Sequence, residues 1–308
     1  MQKTQNGLGQ LQNLDSHPAE KTGATPNIQE NETPAGPSKV SLGVGTLLGE
    51  SFSIIFRHIV LVVLLGFVPV LLGQIVTGLL AGYQIQVGSV DYQSSGLDNG
   101  LATFLAVLIS IAAYTITIAL LVQLAYDAKL RRRIRVRHYF TNAVRTVVPI
   151  AVLNIVIVAI LAIAGFAIVY PGGVAGISPL MTLPVLFALL AWIYSLFSVT
   201  APAVVIEGAG FRGLGRSISL TKDYRWPIVG CLFLAMIFAV IIFFVGGLLV
   251  ALLAAVGGIP GAILALIGLS VLYAVGTGLF SILTALIYAR LREIKEGIGI
   301  EEIAAVFD

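Results

Sequence analysis

Residues 228–256 read IVGCLFLAMIFAVIIFFVGGLLVALLAAV, without one Asp, Glu, Lys, Arg or His. A helix needs about 20 mostly apolar residues to cross a hydrocarbon core of about 30 Å. This stretch is long enough to do so. Five further stretches without charged residues or histidine meet the same requirement: residues 59–83, 101–126, 147–170, 180–206 and 262–289. The sequence therefore predicts an all-α membrane protein with six transmembrane helices.

The composition of the whole chain supports that prediction. Of its 308 residues, 58% are hydrophobic and only 11% are charged, and the mean hydropathy is +0.99. Soluble domains carry about 25% charged residues, so this chain has too few to cover a globular surface. Lipid must surround most of it. The net charge of +3 does not indicate nucleic acid as a partner, because the basic residues cluster in short segments between predicted spans.

The distribution of basic residues predicts the orientation. All 18 Lys and Arg precede the first span, follow the sixth, or lie between the second and third or the fourth and fifth. The loop 84–100 carries only Asp91 and Asp98, and the links 171–178 and 257–261 carry no charge. Basic residues mark cytoplasmic loops. We therefore expect a multi-pass protein of the bacterial cytoplasmic (inner) membrane, with both termini in the cytoplasm.

Domain boundaries follow from composition. Residues 1–39 are polar and are predicted to be a disordered cytoplasmic tail. Residues 40–298 form the predicted transmembrane domain, and 299–308 a short acidic tail. Within the domain, the segments 40–58, 136–146 and 211–226 each precede a pair of spans and mix apolar with basic residues. Their order predicts three hairpins, each preceded by an amphipathic helix in the cytoplasmic headgroup plane.

Basic residues around the second and third of these segments are predicted to contact anionic lipids of the cytoplasmic leaflet. Each basic residue near such a surface contributes about 1 kcal/mol of attraction. The candidates are Lys129, Arg131, Arg132, Arg133, Arg135, Arg137, Arg145, Arg212, Arg216, Lys222 and Arg225. Glu50 and Glu207 lie near basic residues and are predicted to be their salt-bridge partners.

Catalytic motifs are weak or missing. Gly208, Gly210 and Gly213 fit the G-x-G-x-x-G pattern, but a dinucleotide site needs that turn inside a soluble βαβ unit. Here a membrane span precedes the glycines and another follows. The three histidines and the single Cys231 have no metal-ligand spacing. The sequence predicts no enzyme, cofactor or metal site.

Two functions remain open. The first is a non-enzymatic scaffold or lipid-organising protein acting through the basic cytoplasmic segments, with a protein partner left unidentified. The second is a transporter or lipid-translocating protein that uses the bundle interior; a tightly packed core without a polar cavity would count against it. The spans contain no ionisable carboxylate or base, so coupling to protons or sodium has no support. Most of their polar residues are predicted to form hydrogen bonds between helices. They are Gln74, Gln123, Asn154, Tyr194, Ser195, Ser198, Tyr273 and Thr277.

Two motifs resemble a known family. Arg216, Ser217, Leu220 and Thr221, followed by Arg225-Trp226 and Gly230, are similar to a signature of the membrane domain associated with glycerophosphoryl diester phosphodiesterases and of YciC-like bacterial proteins. Residues 286–297 resemble the same family's closing pattern. Asp223 replaces the usual glycine, and Ala289-Arg290 the usual Tyr-Asp. The resemblance implies a six-helix bundle and no enzyme, since the phosphodiesterase chemistry belongs to a separate soluble barrel.

Overall fold

The computed structural model describes residues 42–81, 100–132, 136–174 and 179–297, all within one compact unit, Val40–Asp308. These residues form helices and contain no strand. The predicted tails and the loop with Asp91 and Asp98 lie outside them. The helices are α1 (Val44–Arg57), α2 (Ile59–Ala81), α3 (Gly100–Lys129), α4 (Val136–Val174), α5 (Pro179–Phe197), α6 (Thr200–Glu207), a 3-10 turn (Gly210–Arg212), α7 (Gly213–Thr221), α8 (Arg225–Ala254) and α9 (Gly258–Glu296).

Six helical segments are long and apolar enough to cross a membrane. They correspond one by one to the six predicted stretches, with α5 and α6 together making the fourth. The prediction of an all-helical chain with six helices of spanning length is confirmed. The segments are Ile59–Leu80, Gly100–Lys129, Val136–Pro171, Met181–Glu207, Arg225–Ala254 and Gly258–Glu296.

Residues 136–146, predicted as an amphipathic helix that precedes the third span, do not form a helix of their own. These residues are the first turns of α4, which continues without interruption into the third span. The reason is a single buried stripe, Tyr139, Ala143, Ile150 and Leu153, whose spacing of three, four and seven residues keeps one face of the helix toward the core. Because the stripe crosses the predicted boundary, breaking the helix there would turn part of it away from its neighbours.

The fourth span is broken, whereas we predicted it as continuous. Helix α5 ends at Phe197 and α6 begins at Thr200. Pro202 explains the break, because it has no N–H to donate to the carbonyl of Ser198 and its ring crowds that carbonyl. The hydroxyl of Ser217, from α7, donates to the carbonyl oxygen of Leu196 at 2.7 Å and so satisfies a backbone group beside the break.

Helix α9 extends beyond the predicted span. With 39 residues it is about 58 Å long, against about 30 Å of hydrocarbon. The structure continues it past the predicted end at Ala289 to Glu296. These last turns carry Arg290, Arg292 and Lys295 and so belong outside the hydrocarbon region.

Five of the long helices form a closed ring. Helix α3 packs against α4, α4 against α5, α5 against α8, α8 against α9, and α9 against α3. Helix α2 lies outside this ring on α3 and α9, in close approach: a Cβ added at Gly66 would lie 2.8 Å from the Cβ of Ala274 on α9. Glycine at position 66 therefore sets the separation of α2 and α9.

The short helices gather at one end of the ring. Helix α1 packs on α8 and α9, α6 on α3 and α4, and α7 on α5, α6 and α9. Among the described residues, every charged side chain lies in α1, in the segment from the 3-10 turn to the start of α8, or at or next to the adjoining ends of α3, α4, α6 and α9. We call this part of the molecule the basic end.

Candidate functional site: the basic end and the ring cavity

Several predicted lipid-contact residues of the basic end are engaged in ion pairs. Lys129, at the end of α3, pairs with Glu50 on α1. Arg216, on α7, pairs with Glu207 at the end of α6 and with Glu296 near the end of α9. Glu50 and Glu207 are therefore salt-bridge partners, as predicted. These pairs tie the short helices to the ends of α3 and α9.

Arg216 is the centre of a four-residue network. Its Nε and Nη2 atoms donate to the two oxygens of Glu207 at 2.8 and 2.7 Å. The Nε of Arg292 lies 2.9 Å from Glu296 and 3.6 Å from Glu207, which closes the network. The hydrogen bonds to Glu207, and next those to Glu296, raise the pKa of the Arg216 guanidinium. Nearby, the Nζ of Lys295 donates to the backbone carbonyl oxygens of Ser219 and Lys222.

The remaining predicted lipid-contact residues are distributed over the surface of the basic end. Arg225 lies over the indole of Trp192 at 5.1 Å, and its buried Nε has no hydrogen-bond partner among the described residues. Arg133 and Arg135 lie outside the described residues. For every residue predicted to contact lipid, that contact stays a prediction. The exposed members are Arg131, Arg132, Arg137, Arg145, Arg212 and Lys222.

A partly open cavity of about 620 Å³ lies among the ring helices. Helices α3, α4, α5, α6, α8 and α9 all contribute to its wall, and α2 does not. Its apolar wall combines aliphatic side chains with five aromatic ones, Phe187, Phe197, Phe233, Phe243 and Phe280. None of the lining side chains, all within the described residues, is charged. Its polar wall consists of Tyr114, Asn154, Tyr194, Ser198, Thr200, Thr277, Ser281 and Thr284.

Two polar atoms in this wall have no hydrogen-bond partner among the described residues. They are the amide Nδ2 of Asn154 on α4 and the hydroxyl of Thr200 at the start of α6. Two other lining hydroxyls donate to nearby backbone carbonyls: Thr284 to that of Phe280 at 2.9 Å, and Ser198 to that of Ser195. Both unpartnered atoms, Asn154 Nδ2 and the Thr200 hydroxyl, have almost no surface accessible to a water-sized molecule, so they are buried within the wall of the cavity.

The cavity wall reaches the outer surface of the ring. Phe187 on α5 and Phe233 on α8 stack edge to face at 5.9 Å, and both remain more than 40% exposed. Tyr114 on α3 is also half-exposed. Because helices of spanning length surround the cavity, these partly exposed side chains face the region that hydrocarbon would fill.

The predicted role of the polar span residues is seen for some of them. Gln74 accepts a hydrogen bond from Ser270 at 3.2 Å and joins α2 to α9. Gln123 donates to the backbone of Tyr139 at 3.5 Å, between α3 and α4. The amide nitrogen of Asn154 has no hydrogen-bond partner among the described residues, and Asn154 lines the cavity together with Tyr194, Ser198 and Thr277.

The sequence analysis missed four polar lining residues, Tyr114, Thr200, Ser281 and Thr284. Two of them had a readable signal, because residues 277, 281 and 284 place hydroxyls at a spacing of four and three along one face of α9. Thr200 had none, since its position depends on the break before α6.

Comparison with known proteins adds no relative. No protein-family model, no curated protein and no solved structure matches the chain. Among the described residues, no group of three or more His, Cys, Asp or Glu side chains is placed to hold a metal ion. The functional argument therefore rests on the ring cavity and the basic end.

Proposed function

We propose that this chain is a bacterial inner-membrane protein that takes a lipid-like molecule into the ring cavity and moves it between regions of the bilayer. The observation that carries the proposal is a cavity lined by apolar and uncharged polar side chains, among helices of spanning length. The proposal assigns no enzymatic step and no cofactor. It adopts the second of the two functions left open by the sequence.

Size and chemistry support a ligand rather than an ion path. The volume of about 620 Å³ lies in the range of about 300–1,000 Å³ typical of small-molecule sites. Ion and proton paths in membranes are marked by ionisable groups, whereas this wall offers aromatic rings, hydroxyls and one amide. Sideways exposure of Phe187 and Phe233 supports entry from the hydrocarbon.

The proposed topology places the basic end in the cytoplasm. The 18-to-zero distribution of Lys and Arg between the two sets of sequence segments supports this orientation. In this proposal the six spans form three hairpins, and α1 and α7 lie at the headgroup level. The phosphodiesterase-associated membrane domain remains the proposed family, supported by residues 216–230 and 286–297.

Cross-linking of a photoactivatable acyl-chain lipid tests the proposal. The full chain is reconstituted in vesicles, irradiated and digested, and the labelled residues are identified by mass spectrometry. We expect adducts on cavity-lining residues, such as Asn154 and Met236. The variant Ala191→Trp should abolish these adducts by filling the cavity, whereas Leu249→Trp, on an exposed face of α8, should leave them unchanged. Adducts confined to outward-facing residues in every variant would contradict the proposal.

A lipid-organising scaffold is the second candidate. It is favoured by the exposed basic residues of the basic end, which are available to anionic headgroups at about 1 kcal/mol each. The two functions separate in the same cross-linking experiment. A scaffold predicts labelling around the basic end by anionic lipid headgroups and none within the ring.

A further inference from the structure

Arg225, the first residue of α8, differs from the other partly buried Lys and Arg side chains of the basic end. Within the described chain, each of the others pairs with a carboxylate: Lys129, Arg216, Arg290 and Arg292. Arg225 is also only partly exposed, but it makes no ion pair among the described residues. Asp223, the carboxylate nearest to it in sequence, lies 4.0 Å from Lys295 instead. Because a partly buried charge is costly without a counter-charge, the Arg225 guanidinium lacks an anion.

Trp192 on α5 determines which atoms of Arg225 a ligand can reach. The guanidinium carbon lies 5.1 Å from the centroid of the indole ring, within the range of about 6 Å for a cation–π contact. The Nε atom is buried, whereas the terminal nitrogens Nη1 and Nη2 are neither buried nor hydrogen-bonded within the described part of the chain. Two adjacent guanidinium nitrogens can bind two oxygens of one phosphate.

Trp226 indicates the depth of this guanidinium in the proposed orientation. The Trp226 side chain follows Arg225 directly and is 70% exposed. Exposed tryptophans of membrane proteins favour the interface between hydrocarbon and water, where the headgroups lie. Arg225 therefore lies at the level of the phosphate groups of the lipid.

Arg225 also begins a stripe of α8 that leads to the cavity. Arg225, Val229 and Phe233 follow at intervals of four residues along one face of the helix, and the last two line the cavity. At 1.5 Å per residue, Phe233 lies about 12 Å deeper in the membrane than Arg225. There it meets Phe187 of α5, and the contact between α5 and α8 is the smallest in the ring. We call this line of Arg225, Trp192, Phe187 and Phe233 the α5–α8 seam.

From these observations we infer that the α5–α8 seam binds a phospholipid, with its phosphate on Nη1 and Nη2 of Arg225 and an acyl chain against Phe187 and Phe233. The site stands without uptake, and only the step by which its acyl chain enters the cavity rests on the proposed function. The phosphate stays at the basic end, because no side chain lining the cavity is a cation.

This site differs from the diffuse attraction of lipid to exposed basic residues. Diffuse attraction follows the net charge of the headgroup, so it acts on anionic lipids. A guanidinium that contacts the phosphate directly binds a zwitterionic phospholipid as well. Phosphatidylethanolamine, which carries a phosphate and no net charge, therefore separates the two kinds of binding.

Native mass spectrometry of the full chain in detergent tests the site with two lipids that have the same acyl chains. One is phosphatidylethanolamine, and the other is diacylglycerol, which lacks the phosphate. Phosphatidylethanolamine should bind at a concentration about tenfold lower than diacylglycerol. Arg225→Gln should raise the concentration of phosphatidylethanolamine needed about tenfold, the effect of a charge-assisted hydrogen bond, and should not change diacylglycerol binding.

Three controls separate binding from folding. Arg290→Gln makes the same exchange at a partly buried arginine that pairs with Glu293, and it should leave phosphatidylethanolamine binding unchanged. Arg225→Lys keeps the charge but loses the planar fork, so its binding should fall between that of the unmodified chain and that of Arg225→Gln. Because Arg225 makes no ion pair among the described residues, Arg225→Gln should leave the melting temperature of lipid-free protein nearly unchanged.

A photoactivatable group in the acyl chain of phosphatidylethanolamine locates the bound lipid. We expect adducts on Phe187 and Phe233 that are lost in Arg225→Gln. Equal binding of phosphatidylethanolamine by the unmodified chain, Arg225→Gln and Arg225→Lys, or equal binding of both lipids, would overturn the site. Adducts on the seam that depend on Arg225, with none on cavity residues such as Asn154, would leave the site intact and overturn the proposed uptake.

Discussion

Arg216 and Glu207 form a bidentate pair, with Nε–Oε2 and Nη2–Oε1 distances of 2.8 and 2.7 Å. This geometry uses the planar guanidinium fork, and an ammonium group cannot reproduce it. The same Arg216 also contacts Glu296, so one side chain joins α6, α7 and α9. The helices that close the basic end are thus linked by charge as well as by packing.

Replacing Arg216 with lysine should therefore lower the stability of the purified protein. We expect a loss of about 1–2 kcal/mol, reduced from that of a buried pair because the Arg216 side chain is 30% exposed. Thermal unfolding in detergent measures it. Arg290→Lys is the control, since Arg290 makes one contact to Glu293 within its own helix and should lose less than about 0.5 kcal/mol. Equal losses in both variants would contradict the network.

The close approach of α2 and α9 at Gly66 predicts a steric effect. In Gly66→Ala the new methyl would lie 2.8 Å from the Ala274 side chain and 3.1 Å from its Cα, and neither atom can rotate away. Thermal unfolding should show destabilisation of about 1–3 kcal/mol. Gly230→Ala, where nothing lies within 4 Å of the new atom, should be neutral or stabilising through helix propensity.

Exposed and paired basic residues should differ in their effect on lipid. Arg212 is exposed, whereas Arg216 is held by two carboxylates. Arg212→Gln should reduce the number of anionic lipids that co-purify with the protein. The variant loses about 1 kcal/mol of attraction to anionic headgroups. Arg216→Gln should change it little. The count of anionic lipids per protein in native mass spectrometry gives the answer, and a larger loss for Arg216→Gln would contradict this division.

Topology is tested by reporter fusions. Fusions after Gly100 and Ser178 should report the periplasm, and a fusion after Asp308 the cytoplasm. The expectation follows from the confinement of Lys and Arg to one set of segments. A C-terminus in the periplasm would contradict the placement of the basic end in the cytoplasm.

The sequence predicted the six long helices because each is an uncharged apolar run, and a bilayer imposes that requirement on every span. It did not predict their partners. Apolar surfaces that face lipid and those that face helices have the same composition. Nothing in the sequence therefore predicted the ring of α3, α4, α5, α8 and α9. Pro202 is visible in the sequence as a residue that breaks helices. Its consequence for the Thr200 hydroxyl depends on the contact between Ser217 and Leu196, which the sequence does not indicate. For Asn154, the sequence could not distinguish a hydrogen bond to another helix from a position in the cavity wall. An amide between aliphatic neighbours is compatible with both.

The most direct measurement is an experimental density map of the full chain in bilayer nanodiscs, with lipid retained from the host membrane. The account predicts continuous elongated density inside the ring, in contact with lining residues such as Phe187, Ala191 and Met236. It also predicts that this density is absent in Ala191→Trp. A cavity that is empty or holds only water in the unmodified chain, with lipid ordered solely around the basic end, would contradict it.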